Sequence, residues 1–187
     1  MQSSKPCPTY LCARDYATMK EFKMTLSLDP NEMVETFIEI ARLVSVQFGN
    51  HEVQQELLPA PHRRPTALPS GTQVVYAFLF GNVCLKVGKA GPKTKARFTS
   101  QHYSVNGAPS TLAKSIINDK SILFAALPTS YRSNVEAVNE ATVGSWIESN
   151  ATRFHVFIPS AAGQFPLSLL EGFVQCRLEP IFEGKQP

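Results

Sequence analysis

The clearest pattern in this chain is a pair of apolar, β-rich runs separated by a two-residue Gly-Asn turn. The runs cover 73–80 and 83–88, and this spacing predicts a β-hairpin. Because side chains alternate between the two faces of a strand, Tyr76 is expected on one face with the two phenylalanines of its strand. The same alternation puts Lys86 on one face with Cys84.

Elsewhere, apolar residues recur mainly at helical spacing. The longest such run begins at Pro30, directly after the capping residue Asp29, and ends near Phe48. We expect its apolar face to pack on the main domain, with a dimer interface as the alternative. The remaining pattern predicts further helices at 93–102, 110–118, 134–148 and 166–178, and a strand at 153–158. The apolar run at 121–127 is a further element, and the sequence leaves its type ambiguous.

The order of these elements predicts an α/β fold with a small central antiparallel sheet flanked by helices. The sheet would combine the hairpin 73–80/83–88 with the strand 153–158. Four prolines and one glycine between 59 and 71 predict an extended connector. The sequence thus divides into an N-terminal helical extension (1–58), the connector (59–71) and a main domain (72–187).

Charge is distributed unevenly along the chain. Between Leu57 and Asn118 there is no Asp or Glu, while eight Lys or Arg are present, five of them from Lys86 to Arg97. The formal net charge of +3 conceals this asymmetry. A basic segment without carboxylates suits a polyanion, so the sequence predicts contact with a nucleic-acid backbone. The lysines expected to bind nucleic acid are Lys89, Lys93, Lys95 and Lys114.

Composition narrows the class of protein. Hydrophobic residues make up 43% and charged residues 18%, which is typical of a folded globular protein. No apolar run approaches the ~20 residues that cross a bilayer, and residues 1–12 lack the apolar stretch of a secretory signal. We therefore expect a cytoplasmic protein with no membrane partner. Cys7 and Cys12, the close pair among four cysteines, are interpreted as free thiols, with a metal site or disulfide as the alternative.

The glycines and lysines after the hairpin do not form a phosphate-binding loop. Such a loop needs a glycine directly before its lysine, and Pro92 separates Gly91 from Lys93. The sequence therefore gives no support for a Walker-type NTPase.

Five side chains around the hairpin follow a definite order. Tyr76 and Lys86 lie on its two strands, and Arg97 and His102 follow in the next predicted helix. Glu171 is an isolated carboxylate on the apolar helix near the end of the chain, where burial is costly unless a cation meets it.

In this order the chain resembles the GIY-YIG nuclease family. The run Val74-Val75-Tyr76 stands where that family has Gly-Ile-Tyr, and Lys86-Val87-Gly88 stands where it has Tyr-Ile-Gly. Because it has lysine at the tyrosine position of the second motif, the chain is similar to the restriction-endonuclease-like members of the family. Arg97 matches the family's helix arginine and Glu171 its glutamate, so the resemblance covers about 72–184.

The resemblance implies Mg²⁺-dependent hydrolysis of phosphodiester bonds, with Mn²⁺ as a substitute. Glu171 would hold the metal beside the leaving 3′ oxygen, and Arg97 would grip the scissile phosphate. Tyr76 would orient or deprotonate the attacking water, with its phenol pKa lowered by the charge of Lys86. His102 would assist proton transfer.

Partners also follow from the resemblance. Double-stranded DNA is the expected substrate, in a restriction or phage-defence role, cut by a homodimer or by a larger defence complex.

Two further positions depart from the family pattern. Val74 stands where the first motif has its glycine, and Glu183 stands where the family closes on an asparagine that would position the substrate.

Two other functions fit the same sequence. A catalytically inactive nucleic-acid-binding domain would use the basic segment without the chemistry. A protein-interaction domain of a larger assembly would dock through the helix that begins at Pro30.

Overall fold

The computed structural model describes residues 29–49, 51–108 and 110–183. Within them the chain forms one four-stranded antiparallel sheet flanked by helices, which confirms the predicted α/β class. The strands lie in the order β1-β4-β2-β3, and are β1 (Gln54–Leu58), β2 (Thr72–Phe80), β3 (Val83–Ala90) and β4 (Thr152–Pro159). Cys7, Cys12 and the rest of 1–28 lie outside the described residues.

The predicted hairpin and the predicted strand near 153–158 are present as β2, β3 and β4. One detail of the hairpin differs, because the register shifts between Phe78 and Leu79. Phe78 pairs with Lys86, whereas Leu79 pairs with Cys84, so Leu85 is an extra residue in β3. This bulge puts Lys86 and Cys84 on opposite faces, and the prediction of a shared face is wrong.

The fourth strand, β1, lies in the segment that the sequence assigns to a helical extension. It pairs along its whole length with β4, with Gln54 opposite Phe157 and Leu58 opposite Arg153. β1 is a short, mostly exposed edge strand, and its residues QQELL show no clean alternation. Its pairing partner lies about a hundred residues later, so local sequence gave no signal for it. The extension is therefore partly built into the sheet.

The N-terminal helix α1 (Pro30–Leu43) packs on the sheet. This is the packing on the main domain that we expect from the sequence in preference to a dimer interface. Asp29 caps it by accepting from the backbone of the first turn. Phe37, fully buried, contacts Phe48 and Phe173, the latter on helix α7 (Gln164–Leu178). Residues of α1, of α7 and of the sheet face between them form the core on this side. They include Met33, Ala41, Val75, Ala77, Val87, Leu170 and Val174.

Five short helices cover the opposite face: α2 (Lys95–Thr99), α3 (Leu112–Asn118), α4 (Lys120–Ala126), α5 (Arg132–Glu136) and α6 (Val143–Asn150). The ambiguous element at 121–127 is thus a helix, capped by Asp119. The single helix predicted at 134–148 is two helices, because the Asn139 side chain accepts from Ala141 and Thr142 backbone N–H groups and forms a turn.

The proline-rich connector is anchored to the domain rather than free. His62 is 8% exposed, and its ring nitrogens contact the backbone oxygen of Ala151 at 2.6 Å and the hydroxyl of Tyr103 at 2.7 Å. Residues 59–71 therefore pack against α6 and the turn after α2. None of the helices in the described part of the chain has the length and apolar character to cross a bilayer. The cytoplasmic location stays a prediction.

Candidate functional site

Tyr76 lies in the middle of β2, on the face covered by α2–α6, and is 1% exposed. Its partner in β3 is Gly88. A Cβ atom at Gly88 would lie 2.8 Å from Tyr76 Oη, closer than side-chain atoms tolerate. The glycine of the second motif therefore has a structural reason, since it makes room for the tyrosine of the first.

His102 meets Tyr76 from a 3₁₀ turn (Gln101–Tyr103) that follows α2. The backbone N–H of Leu112 donates to His102 Nδ1 at 3.1 Å, which assigns the ring proton of the neutral imidazole to Nε2. Nε2–H then donates to Tyr76 Oη at 2.8 Å, and the Tyr76 hydroxyl donates to the backbone oxygen of Arg97 at 3.4 Å. Three predicted site residues are thus brought together.

The imidazole of His102 is neutral at physiological pH. Burial lowers its pKa to about 3, and the positive charges of Lys86, Arg153 and Arg97 act in the same direction. With its proton on Nε2, the ring cannot accept the Tyr76 proton. His102 therefore holds the phenol in place as a hydrogen-bond donor, which corrects the expectation that it assists proton transfer directly.

Burial also raises the pKa of the Tyr76 phenol above its usual value. The charges of Arg97 and Arg153 oppose this shift, and the carboxylates of Glu171 and Glu183 add to it. The sequence predicts a lowered phenol pKa, and the structure gives the opposite direction. Tyr76 is consequently protonated in the resting protein.

Lys86 is not among the charges that lower that pKa, and it is itself paired with a carboxylate. The lysine lies on the Tyr76 face, and its Nζ is 2.8 Å from Glu183 Oε1 and donates to the backbone oxygen of Phe182 at 3.2 Å. The segment after α7 runs along β3, where Phe182 N–H donates to Leu85 at 3.0 Å. Glu183, at the place of the family's asparagine, is therefore the counter-ion of Lys86. Sequence reasoning missed this pair.

Arg97 is the cation beside Tyr76 that keeps its charge available. It lies half-buried on α2, and its Nη2 donates to Ser110 Oγ at 3.1 Å. Lys93 and Lys95 are exposed around the start of the same helix, and Lys114 is half-buried on α3. Across the described residues, no carboxylate lies within ion-pair distance of these four cations.

Glu171 and Lys89 lie on the other face of the sheet. Lys89 pairs with Val75 across the hairpin and so points toward α7. Its Nζ is 2.8 Å from Glu171 Oε2 and donates to Ser168 Oγ at 3.0 Å. The cation that meets Glu171 is therefore Lys89, and Lys89 does not offer the free charge expected of a nucleic-acid contact.

A divalent cation fits this site only through Glu171. Within 29–49, 51–108 and 110–183, no three His, Cys, Asp or Glu side chains come together to hold a metal. A single, partly exposed carboxylate suits Mg²⁺, which usually keeps several waters and binds one or two protein carboxylates. The fit requires that Lys89 leave Glu171, and Glu183 is occupied by Lys86 in the same way.

Arg153 is a further charged residue that sequence reasoning missed. It is fully buried in β4 opposite Phe78, and its guanidinium donates to Tyr103 Oη at 2.9 Å and to the backbone oxygen of Phe98 at 3.0 Å. Aromatic rings surround it, including that of Tyr76 at 5.5 Å. The signal was present, since a lone arginine stands at an inward position of an apolar strand.

The buried, neutral state of His102 predicts a loss of stability in acid. Its folded pKa of about 3 lies below the unfolded value of about 6.5, so its contribution is complete above pH 6.5 and falls as the pH drops toward 3. We expect the free energy of unfolding to fall between pH 7 and pH 4.5 by about 2–3 kcal/mol on account of this residue. Urea unfolding at the two pH values measures it.

The matched control is His102→Gln, whose amide can accept from Leu112 and donate to Tyr76 without titrating. The other buried histidines are common to both proteins. If wild type and His102→Gln lose equal stability over this pH range, His102 is not the source of the loss.

Comparison with protein-family models, with curated proteins and with solved structures finds no match to this chain. The assignment to the GIY-YIG family therefore remains a prediction that rests on the order of its motifs.

Proposed function

We propose that this protein is a Mg²⁺-dependent endonuclease of the GIY-YIG type that hydrolyses phosphodiester bonds in DNA. The observation that carries the proposal is the contact among three residues of the predicted set. Tyr76 Oη lies 2.8 Å from His102 Nε2 and 3.4 Å from the backbone oxygen of Arg97. The Arg97 contact is made by its backbone, and its side chain, which no described carboxylate neutralises, is available to an anion.

Arg97 binds the scissile phosphate in this mechanism. Its guanidinium is held by Ser110, whose hydroxyl can be exchanged for a phosphate oxygen without breaking an ion pair. The fork of N–H donors matches two phosphate oxygens and stabilises the charge that develops on them. Arg97 therefore serves both to place the phosphate and to lower the barrier.

Tyr76 orients the attacking water. Its oxygen accepts from His102 and its hydroxyl donates to the Arg97 carbonyl, which leaves one lone pair for a water. Because Tyr76 is 1% exposed, a water reaches this lone pair only when the cover over the phenol opens. Because the phenol is protonated in the resting protein, this orienting role is favoured over removal of the water's proton. His102 is a positioning residue, since it acts on the reaction through Tyr76.

Glu171 is the residue that would hold Mg²⁺, which when bound supplies positive charge to the leaving 3′ oxygen. The Glu171 carboxylate raises the pKa of the Tyr76 phenol slightly, after burial, the largest cause. Mn²⁺ would satisfy the same carboxylate.

The expected substrate is double-stranded DNA. Lys93 and Lys95 extend the exposed positive charge from Arg97 along the start of α2, within the acid-free segment between Leu57 and Asn118. A restriction or phage-defence role, in a homodimer or a larger defence complex, comes from the family resemblance alone.

A plasmid-nicking assay tests the proposed function. We expect the wild-type protein to nick or linearise supercoiled DNA with Mg²⁺ and not with EDTA, and Glu171→Gln to be slower by at least ~10-fold because the amide is a poor ligand for a hard cation. Equal degradation by wild type and Glu171→Gln would reject the assignment, as would equal activity with EDTA.

A second candidate is a nucleic-acid-binding domain without catalysis. It is favoured by the two internal ion pairs, since Lys86 and Lys89 are each neutralised by a glutamate and Tyr76 is protonated. DNA binding with no cleavage in Mg²⁺ or Mn²⁺ would support this candidate. The protein-interaction alternative has less support, because the apolar face of α1 is buried in the same chain at Phe37.

A further inference from the structure

The cover over the Tyr76 phenol is the segment 95–103, which comprises α2 and the 3₁₀ turn that follows it. The rings of Phe98 and His102 in this segment are centred 5.8 Å and 5.3 Å from that of Tyr76. A five-residue helix without a side-chain cap has little stability of its own. The cover is therefore held shut by the contacts that it makes with its surroundings.

Tyr103, the last residue of the cover, is held from two sides. Its hydroxyl accepts from Arg153 Nη1 of β4 at 2.9 Å and lies 2.7 Å from His62 Nε2 of the connector. The guanidinium of Arg64, also in the connector, lies 4.6 Å from the centre of the Tyr103 ring. The connector thus contacts the end of the cover, one residue after His102.

The connector is itself attached to α6 and the residue that follows it. The backbone N–H of His62 donates to the backbone oxygen of Glu148 at 2.9 Å, and its Nδ1 contacts the backbone oxygen of Ala151 at 2.6 Å. Arg64 forms an ion pair with the Glu148 side chain. Because α6 is fixed in the core by its buried face, the connector forms a bridge from a fixed helix to the cover.

The partners of His62 assign its ring proton. The Ala151 oxygen can only accept, so Nδ1 carries the proton and Nε2 accepts from the Tyr103 hydroxyl. A second proton on the ring would make Nε2 a donor, and the buried Tyr103 hydroxyl would lose the acceptor of its own proton. The phenol cannot compensate by ionising, because burial raises its pKa. Protonation of His62 therefore breaks the bridge at its contact with the cover.

The charges that face His62 come from three elements. Burial, the largest cause, lowers its pKa, as do the positive charges of Arg153 on β4 and Arg64 on the connector. The Ala151 oxygen and the Glu148 carboxylate of α6 oppose this shift. With the cover closed, the pKa of His62 thus lies below the usual value of about 6.5, so the closed state is favoured above pH 6.5 and loses ground as the pH falls below it.

We propose that His62 is an acid-sensitive latch that holds the cover shut over the Tyr76 phenol through Tyr103 and releases it when the imidazole is protonated. The inference rests on the proposed function only in taking this phenol as the site that substrate and water must reach. Opening gives a water access to the Tyr76 oxygen. Closure restores the hydrogen bond from His102 that positions the phenol.

Hydrogen–deuterium exchange of the full chain, resolved by mass spectrometry, measures the opening of 95–103 directly. His62→Ala removes both ring contacts, so we expect this segment to exchange several-fold faster than in wild type at pH 7.5, with α1 and α7 unchanged on the far face of the sheet. Equal exchange of 95–103 in the two proteins would overturn the latch. Equal acceleration of every element would also overturn it, since His62 would then support the whole fold rather than the cover.

His62→Gln tests the response to acid, because its amide does not titrate. Rates at pH 7.5 and pH 5.5 are corrected for the effect of pH on the chemical exchange step. We expect the acceleration of 95–103 on acidification to be about tenfold smaller in His62→Gln than in wild type, since one pH unit below 6.5 protonates the freed imidazole. His102 and the other buried histidines are common to both proteins. Equal acceleration would remove His62 as the acid-sensitive group.

His51→Asn is the matched control for the loss of one histidine. His51 is exposed, and asparagine tolerates its positive φ of 65°. This variant should keep the wild-type response of 95–103 to acid. Should alanine at position 62 prevent folding, the comparison of His62→Gln with His51→Asn decides the proposal alone.

The exchange measurements are independent of DNA and therefore separate the latch from the proposed function. Faster exchange of 95–103 in His62→Ala, together with no cleavage by any variant, would reject the nuclease and keep the latch. Mg²⁺-dependent cleavage together with unchanged exchange in both His62 variants would keep the nuclease and reject the latch.

Discussion

Arg97→Ala is expected to slow DNA cleavage by about 10²–10³-fold, or roughly 3–4 kcal/mol of transition-state stabilisation, while most of the duplex affinity remains. Arg97 contacts the Tyr76 hydroxyl through its backbone oxygen, no described carboxylate neutralises its half-buried side chain, and it would meet the phosphate oxygens as charge develops on them. Single-turnover cleavage rates and fluorescence anisotropy with a labelled duplex measure the two quantities separately.

Lys95→Ala is the matched control, because Lys95 is an exposed cation two residues earlier with no contact to Tyr76. It should weaken binding slightly and leave the rate of the bound complex unchanged. Arg97→Lys should recover only part of the rate, since an ammonium lacks the two-pronged donor geometry of a guanidinium. Parallel loss of binding and cleavage in Arg97→Ala would make Arg97 an anchor for the DNA backbone and remove it from the chemistry.

Phe37→Ala is expected to lower the free energy of unfolding by about 3–5 kcal/mol. Phe37 is fully buried, with its ring 5.7 Å from that of Phe48 and 6.1 Å from that of Phe173. Truncation removes apolar surface and leaves a cavity between α1, α7 and the sheet. Urea unfolding followed by far-UV circular dichroism measures the loss.

Glu39→Ala provides the control on the same helix, because Glu39 is exposed and forms no ion pair within the described residues. Its effect should stay within about 0.5 kcal/mol. An unchanged unfolding free energy in Phe37→Ala would mean that α1 is not part of this core, and would return it to the role of a docking surface for a partner or a second copy.

The elements that could be predicted from the sequence are those whose signals are local. The hairpin follows from two apolar, β-rich runs and a two-residue turn, and α1 follows from a cap at Asp29 and an apolar stripe. β1 could not be found in this way, because a short exposed edge strand is defined by its pairing with β4. The bulge at Leu85 is likewise invisible in the alternation, yet it decides which face Lys86 occupies.

The candidate site divides in the same way. The resemblance to the GIY-YIG family implied that Tyr76, Arg97 and His102 meet, and hydrogen bonds join Tyr76 to His102 and to the backbone oxygen of Arg97. The electrostatics were predicted less well. Lys86 was expected to act on Tyr76 and Glu171 to wait for a metal, whereas each is paired with a residue distant in sequence.

By itself, the sequence determined the α/β class, the hairpin and the basic segment, because apolar runs, helical spacing and charge composition act over a few neighbouring positions. The residues expected beside Tyr76 followed from the family resemblance. Only the tertiary structure decided that Glu183 neutralises Lys86, that Lys89 occupies Glu171, and that burial keeps the Tyr76 phenol protonated. Ion pairs and pKa values depend on distance and on solvent exclusion, and both are set when the last helix and its following segment fold back onto β3.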